Sequence, residues 1–180
     1  MTVRDAVLRR QSYSKVTEEA PTHEELLPLV EAAASVADHG SMRPWRLIEL
    51  RGEARERLGQ AFVEASGLTG KDAAKLADKP LRASLLIAVV ASYKPSHKVP
   101  RWEQEAVASG VAHTLSLLLD EAGWGVFWRT GGHTRSEAVH RMHELSPDEE
   151  LLGWLYVGGV LKEKPDKKHK AIGSRFLTEL

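Results

Sequence analysis

Between Trp102 and Ala122 runs the longest helical pattern in the chain, and its middle is apolar nearly all the way round. A helix of that kind must be covered on most sides, so it constrains every other element to pack around it. A second segment, Leu85–Ala91, is apolar at every position, as a central strand buried on both faces requires. The remaining pattern supplies the cover. Thr22 reads as an N-cap with Glu25 at the capping-box position, and the helix after it places Leu26, Leu29, Val30 and Ala33 on one face. Short helices are expected near 5–10, 53–64, 71–77 and 136–144, and strands over 45–50, 123–130 and 151–160. Gln11–Ala20 is polar and reads as extended. Intermixed helices and strands point to an α/β or α+β sandwich.

The whole length, 180 residues, suits one domain. Its last segment, 162–180, opens with the charged run Lys162–Lys170 and reads as a solvated C-terminal extension. Lys plus Arg and Asp plus Glu are both 25. A chain with no net charge has no global field to draw in a polyanion, which argues against a nucleic-acid partner. There is no cysteine, which excludes disulfides, iron–sulfur clusters, thiolate zinc sites and thiol nucleophiles. Arg4, Asp5, Arg9 and Arg10 break up any apolar leader, and no apolar run reaches the roughly 20 residues that span a bilayer. A cytoplasmic protein with no membrane partner is the expectation.

Several familiar motifs are missing. Gly123-Trp124-Gly125 has only two of the three glycines of a dinucleotide loop and follows a helix pattern. Gly67–Asp72 is too short for a phosphate loop and has Asp where a Mg²⁺-holding hydroxyl belongs, and there is no nucleophile elbow. His140 and His143 share a helical face, but zinc would need a third ligand, and the plain reading is two surface histidines.

Three separated segments remain that are rich in groups able to hold an anionic, planar ligand. The first, Arg9–Lys15, carries Arg10, Gln11, Ser12, Tyr13 and Ser14, offering guanidinium forks for phosphate and hydroxyls for a polyol. The second, Asp38–Trp45, sets His39 and Arg43 on a glycine-softened loop. The third, Trp128-Arg129-Thr130, ends a strand, where ligands of mixed sheets often sit. Taken singly, each has an ordinary explanation: a solvated helix end, a turn, a core indole.

In this order and spacing the three segments resemble the FMN-dependent nitroreductase family. The resemblance is carried by Arg10-Gln11-Ser12, Pro44-Trp45-Arg46, Gly123–Gly131 and Leu152–Gly158, and it covers about residues 4–160. Asp38–Trp45 and His97–Glu105 are most similar to the short YdjA-like branch. The resemblance implies a mostly antiparallel sheet flanked by helices in an intertwined homodimer with two FMN sites at the interface. Arg10 would meet the FMN phosphate. Gln11, Ser12 and Ser14 would line the ribityl chain and pyrimidine edge, Tyr13 would belong to the same cofactor-binding segment, and Trp128, Arg129 and Thr130 would form a second one. His39 would come from the partner subunit. Larger relatives carry a cation where Ser14 stands, and Arg43 replaces their usual Gln, so Arg43 or Lys15 is a candidate replacement charge. Their C-terminal basic pair has no clear match; Lys167, Lys168 and Arg175 are the nearest candidates.

The implied activity is hydride transfer from NAD(P)H through FMN to a nitroaromatic or similar small-molecule electron acceptor, with the flavin carrying the chemistry and no catalytic side chain required. Two alternatives stay open. One keeps the flavin but performs reductive dehalogenation or dehydrogenation. The other is a flavin-binding protein without turnover.

Overall fold

The protein was analysed as a computed structural model that describes residues 2–162 and 173–179; Lys167, Lys168 and most of the expected charged run lie outside them. In chain order the elements are α1 (Val3–Arg9), α2 (His23–Ala33), β1 (Trp45–Leu50), α3 (Glu53–Ser66), α4 (Gly70–Ala77), β2 (Leu85–Ser92), α5 (Arg101–Glu121), β3 (Trp124–Arg129), α6 (Glu137–Met142) and β4 (Glu149–Gly159). The strands form one sheet in the order β1-β2-β4-β3, with every neighbouring pair antiparallel. The expected α+β sandwich is what the chain adopts.

β2 explains the layering. Its apolar run cannot leave either face wet, and a strand turns alternate side chains to opposite faces. Leu85, Ile87, Val89 and Ala91 join the core formed with α2 and α5. Leu86, Ala88 and Val90 join the core formed with α3, α4 and α6. The capping box at Thr22 forms as expected, with Glu25 N–H donating to the Thr22 hydroxyl and Thr22 N–H donating to the Glu25 carboxylate. α1 starts on an equivalent box, Thr2 with Asp5.

α5 differs from the sequence expectation. It buries one stripe, Gln104, Val107, Ala108, Val111, Ala112, Leu115, Ser116 and Leu119, which is the spacing of a single helix face. The other side carries Ala106, Ser109, Gly110 and His113, small or polar residues that tolerate partial exposure, and the first turn leaves Trp102 exposed. Counting Ala and Gly as apolar made the helix look hydrophobic all round, but one subunit covers its apolar stripe. No helix among the described residues is long and apolar enough to cross a membrane.

The segment after α1 is an extended arm laid along the edge of β3 and the end of β4. Tyr13 N–H donates to Val126 (2.9 Å), Thr17 N–H to Gly159 (2.8 Å), and Gly159 N–H to Glu19 (2.8 Å). Ser12 bridges Val126 in parallel and Val16 bridges Val160. Glycines make this close approach possible. A Cβ on Gly158 would stand 2.6 Å from the Thr17 carbonyl oxygen, and one on Gly125 would stand 3.0 Å from the Val16 side chain. Gly158→Ala should therefore destabilise the protein by about 1–3 kcal/mol through overpacking. Gly132→Ala, with nothing within 4 Å of the new methyl, should stay within about 0.5 kcal/mol of the parent. Urea unfolding midpoints of the two variants check this.

Candidate functional site

The arm and β3 bring two of the three sequence segments together. Arg10 closes α1, its N–H donating to Ala6 (3.0 Å), and then turns the chain into the extended arm. Gln11 is buried, Tyr13 is half-buried, and Ser12, Ser14 and Lys15 are exposed. Ser12 bridges Val126, and the arm then passes Gly125 and Gly158 to reach Gly159, while the Arg129 side chain folds back over Phe127 toward it. The result is a cavity of about 620 Å³ lined by Ser14, Lys15, Val16, Arg82, Arg129 and Leu161. A second cavity of about 340 Å³ shares Arg129 and adds Trp128, Thr130, Lys79 and His133 with the aromatic walls Phe62, Phe127, Trp154 and Tyr156.

Arg129 stands at the junction. Its guanidinium lies 4.4 Å from the centroid of Phe127 and 5.0 Å from that of Tyr156, so two ring faces hold it flat against the sheet. Its Nε is buried without a hydrogen-bond partner. Trp128 points the opposite way, edge-on to His113 of α5 at 4.9 Å, and its buried indole N–H also lacks an acceptor. It therefore packs chiefly as a core indole. Burial pushes the Tyr156 hydroxyl up to about 12, against the opposing pull of Arg129 and Arg82, so the phenol is neutral at physiological pH.

The charge balance of this region is one-sided. Arg46, Arg51, Arg101, Arg135 and Arg141 each pair with a carboxylate. Lys15, Lys79, Arg82 and Arg129 form no ion pair among the described residues, and no carboxylate lines either cavity. Such a cluster favours an anionic ligand with a flat apolar part.

The aromatic wall is held from behind. Trp154 donates its indole N–H to His143 Nε2 (3.0 Å), and His143 Nδ1 donates to the Val139 carbonyl (2.8 Å), an arrangement that needs the neutral imidazole. Trp154 meets Phe62 edge-on at 5.3 Å, and Phe62 stacks on His133 at 4.9 Å. The sequence had suggested two surface histidines. Instead His143 is buried, with both nitrogens engaged, and His140 Nε2 contacts the Thr134 carbonyl (3.0 Å). Phe62, Lys79, Arg82, His133, Trp154 and Tyr156 were not singled out as site residues. The alternation of Trp154 and Tyr156 on one strand face was a usable signal, whereas nothing local marked Lys79 or Arg82.

The second segment is elsewhere. His39 begins a short 3-10 turn and pairs through Nδ1 with Glu103 (2.7 Å) at the start of α5. Arg43 is exposed, with a left-handed backbone (φ 47) held by its N–H donating to Asp38 (2.6 Å). This loop feeds β1, which lies on the edge opposite β3, three strand spacings or roughly 14 Å away. Along α5, the step from Glu103 to His113 is about 15 Å. His39 and Arg43 are thus not brought to the arm within one subunit.

Known proteins share this fold. The family model described as Nitroreductase family matches residues 7–159. The chain belongs to the nitroreductase family. YdjA of Escherichia coli K12, provisionally named an NAD(P)H nitroreductase, is 35% identical over 157 residues, 86% of each chain. A similarly named protein of Haemophilus influenzae is 28% identical over 176 residues, 95% of each. Among solved structures, a nitroreductase-like family protein from Bacillus cereus superposes with a TM-score of 0.85 at 23% identity, covering 99% of this chain and 96% of the other. NfnB of Sphigopyxis sp. strain HMH, titled an FMN and NADPH-dependent nitroreductase, reaches 0.76 at 15% identity over 99% of both chains. Family membership makes the protein an oxidoreductase and places its arm and β3 in a flavoprotein family.

Burial lowers the pKa of His143 from its ordinary 6.5. The unfolded chain then takes up a proton near pH 6.5 that the folded chain refuses, so stability should fall as pH drops below about 6.5. The slope should approach at most about 1.4 kcal/mol per pH unit and vanish below the folded pKa. His143→Gln, which keeps an acceptor for Trp154, should flatten the change between pH 7.5 and 5.5 in urea unfolding. An unaltered slope would place the titrating group elsewhere.

Proposed function

We propose that the protein binds FMN at the junction of its arm and β3 and acts as an NAD(P)H-dependent oxidoreductase toward nitroaromatic or similar small-molecule acceptors. The observation that carries this reading is the cavity pair around Arg129. Its cations lack carboxylate partners, its walls are aromatic, and one buried guanidinium nitrogen has no acceptor. FMN combines a dianionic phosphate, a polyol and a flat ring, so the donor set fits it. When bound, FMN supplies the hydride chemistry, and the protein supplies binding, orientation and electrostatics.

The roles follow the chemistry of each side chain. Arg10 takes the phosphate through charge-assisted bonds. Gln11, Ser12, Tyr13 and Ser14 present amide and hydroxyl groups to the polyol and pyrimidine edge. Arg129 and Thr130 form the opposite wall, with Trp128 setting the end of β3. His143 fixes Trp154 and thereby the aromatic cavity. His39 and Arg43 belong to the same site only if a second copy supplies them, because β1 and β3 are opposite edges of the sheet. A homodimer is therefore part of the proposal. Exposed Val3, Val7 and Trp102, at 79%, 55% and 70% exposure, are apolar groups that a second copy would cover.

Purified protein mixed with FMN should show a bound flavin in the visible spectrum and oxidise NAD(P)H in the presence of a nitroaromatic. Arg10→Ala should weaken FMN roughly tenfold to a hundredfold, the worth of a charge-assisted phosphate contact, and leave riboflavin nearly unaffected. Equal loss for both ligands would mean that Arg10 acts through folding. Sedimentation should give a dimer at micromolar concentration; a folded monomer there would remove His39 and Arg43 from the site.

A further inference from the structure

Ser14 offers a hydroxyl but no charge at the place where the arm meets the ligand cavity. Two arginines line that cavity with it, Arg82 and Arg129. Arg129 is pressed onto the rings of Phe127 and Tyr156. Arg82 is different. It ends the short 3-10 turn Lys79–Arg82, is exposed, and forms no ion pair among the described residues. Its turn is nonetheless fixed. Pro80 is buried, Arg55 donates to the carbonyl of Ala83 (2.8 Å), and the Ser84 hydroxyl donates to the Glu18 carbonyl of the arm. The last bond ties the turn that carries Arg82 to the arm that carries Ser14, and both side chains line the cavity.

Two-electron reduction of a flavin places negative charge on the N1–O2 edge of its ring, and a positive charge beside that edge binds the reduced form more tightly than the oxidised form. We infer that Arg82 supplies this charge in place of the cation that Ser14 lacks, and so sets the potential of the bound flavin. This rests on the FMN reading above. Lys15, the residue next to Ser14 on the exposed arm, also lines the cavity and is the competing source of charge. Arg43 lies at the far edge of the sheet and could reach the flavin only from a second copy.

The test separates ring from phosphate and reduced from oxidised flavin. Parent, Arg82→Gln and Arg82→Lys proteins are titrated with oxidised FMN and with riboflavin by fluorescence quenching, and the two-electron potential of the FMN complex is measured by dye equilibration. Arg82→Gln should hold both oxidised flavins within about threefold of the parent. It should bind reduced FMN about tenfold more weakly, which for a two-electron couple lowers the potential by about 30 mV. Arg82→Lys should recover most of that loss, and Ser14→Lys added to Arg82→Gln should recover it from the other side of the cavity. An unchanged potential in Arg82→Gln overturns the inference, and a fall in Arg43→Gln instead would assign the charge to a second copy. A loss confined to FMN, with riboflavin indifferent, also overturns it, because Arg82 would then be a phosphate anchor. If the parent binds no FMN at all, the functional reading itself fails.

Discussion

The docking of the extended arm onto β3 and β4 is the interaction on which the candidate site depends. An isolated arm of polar residues has no reason to be straight. Here three backbone hydrogen bonds to Val126 and Gly159 hold it in sheet-like geometry. They can form only because Gly125 and Gly158 present no side chain to the approaching backbone. Those glycines weaken β3 and β4 as strands, since glycine adds no packing and loses more entropy on folding. The sheet accepts this because the cavity around Arg129 is assembled by the same contact.

Electrostatics give the cavity its character. Five arginines are neutralised by neighbouring carboxylates, among them Arg46, which pairs with Glu149 at 2.6 Å. This pair also holds the Glu149 carboxyl below its ordinary pKa. Around the arm the pairing stops. Cations without carboxylate partners beside an aromatic wall repel one another, and this charge pattern is what the proposed ligand site rests on. Tyr156 and Trp154 belong to that wall, one kept protonated by burial and the other tethered by a neutral histidine.

The same topology that joins the arm to β3 keeps the His39 loop away from it. β1 and β3 cap opposite edges of a four-stranded sheet. α5 spans the distance between them, with Glu103 at one end engaged by His39 and His113 farther along against Trp128. Gln104, buried beside Glu103, fixes the loop before α5 by bonds to Lys94 and Val99.

The periodicity of the chain was sufficient for the layers. The apolar run of β2 can be buried only between two helical layers, and the long helical pattern of α5 and the box at Thr22 say where helices lie and begin. The box of Arg10 to Ser14 and the segment Trp128 to Thr130 stood out because their residue types suit a phosphate-bearing planar ligand. Three things were decided only in three dimensions. His143 became a buried acceptor because the turn after α6 brings it beneath Trp154 on β4, a contact with no local trace. α5 proved one-sided, because the shape of its neighbours, and not the count of apolar residues, determines which face is dry. Arg82 entered the cavity because the turn before β2 is bonded to the arm some sixty-six residues earlier in the chain. Sequence records which groups are present and how each element is patterned. Which charges share a cavity depends on how distant segments pack, and no local pattern carries that information.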